Sequence, residues 1–157
     1  MELNEATKLK LMNHKNEWYL DLIQGMRKED ILPGASELIQ ELSNAGIGVG
    51  WGASSKNAQL ILDNVELSHF FQVVVDGNHI TLSKPDPEVF LKGARGLGVQ
   101  PDECIVFEDA AAGVAAAKAG GFFAVGLGDS EVLGAADVVN PDLKGVRMND
   151  LTNWMSD

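Results

Sequence analysis

The sequence predicts an α/β fold, a parallel sheet with helices on both faces. Three observations carry this. Short apolar runs such as Ile105-Val106-Phe107 and Phe123 to Leu127 are continuous rather than alternating, as expected of strands buried on two faces. From residue 35 onward such runs alternate with helical stripes, the order of a doubly wound sheet. Two carboxylates, Glu108 and Asp109, close the 105–107 run, at the strand end where open α/β sheets bind ligands.

Taken in order, residues 3 to 28 read as one helix, with Met12, Tyr19, Leu22, Ile23 and Met26 at helical spacing. Trp18 and Tyr19 are expected to pack this helix. Pro33-Gly34 marks a break. Ala35, Leu38, Ile39 and Leu42 stripe a second helix, capped by Gly46. Ile47 to Trp51 is expected as a strand, weakened by its glycines. Residues 53 to 57 turn into a helix whose inner face is Ala58, Ile61, Leu62 and Val65. Phe71 to Val75 is the next strand and Asp76-Gly77-Asn78 its turn. Asp86 and Pro87 suit the start of a helix that turns Phe90, Leu91, Ala94 and Leu97 inward and ends at Gly98. An alanine-rich helix follows Asp109 and stops at Gly120-Gly121, able to lie close to the sheet. Phe123 to Leu127 is a strand, Asp137 to Val139 a short edge strand, and 147 to 155 a terminal helix anchored by Trp154.

The 157 residues suffice for one domain with a real core, burying about 70% of the unfolded surface. A formal net charge of -11 disfavours nucleic acid and anionic membranes as partners, while leaving room for a small phosphorylated substrate. Cys104 is the only cysteine. Neither a disulfide framework nor a cysteine zinc site is therefore expected, and a reducing cytoplasm is the simplest location. No signal peptide or membrane-spanning run is expected. His14, His69 and His79 lack metal-ligand spacing, and Asp76 is explained by its turn.

Three segments end strands and should converge on one rim: Ser54-Ser55-Lys56-Asn57, the loop carrying Lys84, and Glu108-Asp109. Hydroxyls, an amide and helix-start N–H groups suit a phosphate. A lysine can neutralise a transferring phosphoryl group, and paired carboxylates suit Mg²⁺ held together with a phosphate. Taken singly, the serines read more readily as helix caps and Lys84 as a solvated loop residue, while the acidic pair is as well explained as a solvated turn. Their joint order along the strands favours a site.

The stretches KNEWY from Lys15, EDILPG at 29–34, ASSKNA at 53–58, SKPDPEVF at 83–90 and CIVFEDAAAGVAAAKAGG at 104–121 resemble the haloacid dehalogenase superfamily, within it the β-phosphoglucomutase-like branch. The resemblance runs from about Met12 to Asp137. It implies a Rossmann-like core at 31–157 and a remnant cap helix at 1–30. It also implies Lys84 at the nucleophile and phosphoryl oxygens, Mg²⁺ on Glu108 and Asp109, and Ser55, Lys56 and Asn57 on a non-reacting phosphate. Lys15 would touch the sugar.

Two departures shape the expectation. The superfamily's nucleophile is an aspartate in a D-x-D motif on a strand preceding the cap, and no two aspartates here lie two apart. The chain is expected to lack that central strand, to show a rearranged sheet centre or pairing between copies, and to be inactive alone. The second departure is Ala53, where the superfamily places a hydroxyl. Trp51 is bulky for its place, and is expected either to narrow the pocket or to fill space beside the missing strand. The sequence thus implies a sugar-phosphate phosphotransferase or phosphatase needing a complementing N-terminal fragment or a second copy. The alternatives are a catalytically dead metal- and phosphate-binding module or a truncated gene product.

Overall fold

A valine triplet and a glycine-flanked tryptophan make short strands, and with the other strands these form two parallel sheets rather than one. The structure, a computed structural model, describes residues 4–156. Strands β1 (Gly50–Gly52) and β2 (Val73–Val75) pair in parallel, Trp51 opposite Val74. Strands β3 (Ile105–Glu108), β4 (Phe123–Leu127) and β5 (Val138–Asn140) form the second sheet in that order, also parallel, with Glu108 opposite Gly126. β5 is the edge strand the sequence suggests. Among the described residues β1 pairs only with β2, and β3 only with β4, so the centre is interrupted as expected.

Helices bridge the interruption on both faces. α2 (Ala35–Asn44) sends Leu38 and Leu42 onto Ile105 and Phe107 of β3, and Ile39 into the cluster that holds Trp51 and Val74. On the opposite face α4 (Glu88–Leu97) lies over β1 and β2. It also places Ala94 and Phe90 in the cluster of Val106, Val114, Ala117 and Phe122. α5 (Ala111–Ala119) packs on β3 and β4 through Gly113, Val114, Ala116 and Ala117. Successive residues of β3 alternate between the two faces, the period-2 rule that puts Glu108 on the α4–α5 side with Val106. α3 (Ala58–Asn64), α6 (Ser130–Leu133) and α7 (Met148–Ser156) complete the layers; the sequence reading missed α6. Trp154 packs α7 against the Leu38 and Leu151 cluster, as expected.

Several expectations need correction. The first helix, α1, spans Glu5–Gly25 instead of 3 to 28, residue 3 lying outside the described residues. Met26 is extended, and the Asp30 carboxylate accepts the Arg27 N–H at 2.8 Å to start a separate 3₁₀ turn. Only Ile23 of α1 is buried, whereas Met12, Trp18, Tyr19 and Leu22 are exposed. The apolar periodicity was there, but the described residues present no surface to cover it. β1 begins at Gly50, three residues later than expected, because the Val49 N–H donates to the Gln72 side-chain oxygen at 2.7 Å. β2 likewise starts at Val73, after a 3₁₀ turn at Ser68–Phe70. In α4 Ala94 is buried as expected and Val89 is buried as well, whereas Leu91 is exposed. Asp86 still caps this helix, accepting the Glu88 N–H at 2.9 Å, although the helix is assigned from Glu88.

Trp51 lies on the face covered by α2 and α3. It packs edge-on against Phe71 at 5.6 Å, among Leu62, Val65 and Leu67, with its indole N–H buried and unpartnered. The neighbouring glycines serve the other face: a Cβ at Gly52 would lie 3.2–3.3 Å from Phe90 and Val89. Glycine 34, which starts α2 at φ +86, leaves no room either, since a Cβ would lie 1.9 Å from the Leu143 carbonyl oxygen. Among the described residues no helix is long and apolar enough to cross a membrane.

Candidate active site

Lys84 and Glu108 meet, 24 residues apart in sequence. Glu108 is the last residue of β3 and Lys84 stands in the loop after β2. Their contact therefore joins the carboxyl end of the larger sheet to that of the smaller one. The Glu108 side chain is 9% exposed and that of Lys84 17%. The Lys84 ammonium also lies 4.8 Å from the centre of the Phe90 ring, within cation–π range. Glu108 Oε2 is 3.4 Å from the Ala110 N–H at the start of α5, a weak contact.

The Ser54–Asn57 loop leaves β1 and is tied to the turn that leaves β2. The Ala53 N–H donates to Val75 O, the Gly77 N–H to Ser55 O at 3.0 Å, and the Asn78 side chain to Lys56 O at 3.2 Å. Within the loop, Ser55 Oγ accepts the Asn57 N–H at 3.2 Å, while Ser54 and Lys56 are exposed. Neither serine caps α3 with its side chain: Asn57 occupies the cap position and makes no such bond. Asp76, 5% exposed, accepts the Asn78 N–H at 2.8 Å and lies 2.9 Å from His79 Nδ1. The turn role read from the sequence is therefore correct.

Asp109 follows Glu108 but is exposed. Among the described residues no three His, Cys, Asp or Glu side chains gather as a metal site. The acidic pair still fits Mg²⁺, which commonly takes one or two carboxylates and completes its shell with water and phosphate oxygens. Glu108 fits it best, with one oxygen only weakly bonded and a cradle of bare backbone beside it at Gly113. Lys15 lies on the first helix. It sits exposed there, eight residues before Ile23, about 12 Å along the axis. Ile23 is where α1 is held, its carbonyl accepting the Asn64 side chain at 2.7 Å. A separate groove of about 570 Å³ lies between α2 and residues 143–147, but its Arg147 already pairs with Glu41 at 2.8 Å.

The sequence reading missed Glu88. Its carboxylate accepts the N–H groups of Thr81 and Leu82 at 2.7–3.1 Å and pairs with Lys92, which also donates to His79 O. The loop that ends in Lys84 is thereby clamped to α4. The Lys92 hydrogen bond first, then the two backbone N–H groups, hold the Glu88 carboxyl down at about 2 against an ordinary 4.5. The unfolded chain takes up this proton near pH 4.5, while the folded chain resists it to about 2. The clamp's contribution is therefore complete above the first value and lost as pH falls through the second. Thermal melts of the wild type and Glu88→Gln should differ most at neutral pH and converge towards pH 2.

Parallel strands flanked by helices, with the candidate residues at the strands' carboxyl ends, place the chain among the open-sheet, Rossmann-like α/β proteins. Within that class it belongs to the haloacid dehalogenase-like hydrolases, whose family model matches residues 4–121, and to their β-phosphoglucomutase-like branch. It is 41% identical over 134 residues to the β-phosphoglucomutase of Bacillus subtilis, covering 85% of this chain and 59% of that protein. It is 44% identical over 79 residues to the fructose-1-phosphate phosphatase of Escherichia coli, covering 50% of this chain and 42% of that protein. A crystal structure of β-phosphoglucomutase from Clostridium difficile superposes with a TM-score of 0.90 at 32% identity, over 98% of this chain and 69% of the other. The chain thus spans 59% and 42% of the lengths of these two curated relatives.

Proposed function

We propose that this chain supplies the Mg²⁺- and phosphate-binding part of a phosphomutase or phosphatase acting on a sugar phosphate. The observation that carries this reading is the Lys84–Glu108 contact between the ends of the two sheets. Lys84 neutralises charge on the transferring phosphoryl group. Glu108 and Asp109 hold Mg²⁺, which when bound supplies further neutralisation at the same oxygens. Ser54, Ser55, Lys56 and Asn57 hold the phosphate that does not react.

Phosphoryl transfer in this branch needs a carboxylate nucleophile. Its oxygen bonds to phosphorus as the bond to the leaving oxygen breaks, and the resulting aspartyl-phosphate passes the phosphoryl group to a second oxygen. The sequence holds no D-x-D pair. We therefore assign the nucleophile to a strand outside these 157 residues, seated in parallel between β1 and β3. The unpaired inner edges of both strands support that place.

Titration calorimetry with a hexose phosphate tests the binding half. Binding is expected with Mg²⁺ present, and at least about tenfold weaker without it or in Glu108→Gln. Heats that are identical with and without Mg²⁺, or no binding at millimolar ligand, would overturn the reading. Binding with no turnover under any condition would leave a binding module in place of an enzyme.

A further inference from the structure

Gly113 sits in the first turn of α5, in a run otherwise made of alanines and one valine up to Lys118. Glycine is the poorest helix former apart from proline, and alanine the best. The local pattern therefore calls for alanine at 113, and something else must account for the glycine. The backbone there is ordinary helix, so no left-handed conformation demands it. Space does. A Cβ at 113 would lie 2.0 Å from Glu108 Cδ, 2.2 Å from Oε2 and 2.4 Å from Oε1. These are not contacts with the flexible end of a solvated chain. The three atoms are the carboxylate that meets Lys84, on a side chain 9% exposed. Gly93, the comparable glycine inside α4, has nothing within 4 Å of its virtual Cβ. Gly96, also inside α4, would meet the Val73 side chain at 2.9 Å, but only at Gly113 is the group met a carboxylate.

We propose that Gly113 is a positioning residue, whose missing side chain makes the space that holds the Glu108 carboxylate at the rim against Lys84. The inference rests on the reading of Glu108 as a metal ligand, and adds that the orientation of this ligand is set by a position five residues further along the chain. A methyl group at 113 forces the carboxylate out of its cradle. Glu108 then loses both Lys84 and the weak contact to the Ala110 N–H. The inner face of α5 admits no retreat, since Val114, Ala116 and Ala117 are fully buried against β3 and β4.

The test uses Gly113→Ala in the full chain, with Mn²⁺ as the spectroscopic probe and inorganic phosphate present. Electron paramagnetic resonance of free Mn²⁺ should show affinity at least about tenfold weaker than wild type, the size expected when a ligand's support is lost. Urea denaturation supplies the second readout. Gly113→Ala should lower the unfolding midpoint in the wild type, and leave it unchanged or raise it in a Glu108→Ala background, where the carboxylate is gone and only helix propensity remains. Wild-type Mn²⁺ affinity in Gly113→Ala, together with a midpoint loss that persists without Glu108, would overturn the proposal. If wild type itself binds no Mn²⁺, the metal reading fails, and the midpoint comparison alone decides whether Gly113 acts through Glu108. Should Gly113→Ala not fold, the shorter acid of Glu108→Asp in the same chain is expected to restore folding. Failure of that rescue would count against the proposal.

Discussion

Replacing Lys84 by methionine is expected to destabilise the fold by about 3–5 kcal/mol, the usual cost of leaving one member of a buried ion pair behind. Methionine keeps most of the length and the contact with Phe90, and removes the charge. Glu108 would then be a carboxylate 9% exposed whose remaining partner is the 3.4 Å contact to the Ala110 N–H. The cost comes from the stranded charge rather than from the lost attraction. The double variant Lys84→Met with Glu108→Gln should accordingly recover most of the loss, since matched neutral groups in such places are often tolerated. Urea denaturation of the four proteins in this cycle at pH 7 measures it. A loss below about 1 kcal/mol in Lys84→Met would mean that the pair behaves like a solvated surface bridge. The join between the two sheets would then rest on α2 and α4 alone.

The second large effect concerns turnover. Adding a polypeptide that carries a D-x-D strand is expected to raise phosphoryl transfer by at least about 10⁴-fold over the chain alone, the scale on which removal of a nucleophile is felt. The physical basis is the interrupted centre. Among the described residues β1 has a partner on one side only, and so has β3. Each inner edge therefore offers a row of backbone N–H and C=O groups to an incoming strand. The bridging helices α2 and α4 hold the two edges in one body before any strand arrives. Phosphate release with and without the added fragment, alongside the mass of the complex in solution, gives the readout. Turnover by the chain alone at the complemented rate would remove the need for the strand. A stable dimer unable to accept the fragment would assign the slot to a second copy.

Helix and strand types were legible in the sequence because each is written in local spacing. The continuous run ending at Glu108 gave β3, the 123–127 run gave β4 to the residue, and the Leu38 stripe gave α2. The family was legible too, since KPDPEVF and the 104–121 stretch are compact motifs. The burial of α1 was not legible. Its apolar spacing is real, yet Trp18 and Leu22 face solvent, because a stripe records a preference for contact and not the presence of a partner. Glu88 escaped notice because its partners are backbone N–H groups at 81 and 82, which no side-chain pattern marks.

What the sequence determined by itself is the inventory: alternating elements, three rim segments and a chain without a D-x-D pair. A disturbed centre was expected from that inventory, but only the tertiary structure decided that β1 and β3 stay unpaired with each other, and that Lys84 closes on Glu108 across the parting. It alone showed that a single glycine in an alanine helix makes the space for that carboxylate. Local order follows from the periodicity of neighbouring side chains, whereas these three features depend on where distant segments stop when the two faces pack. That balance is struck among residues tens of positions apart and leaves no spacing to read.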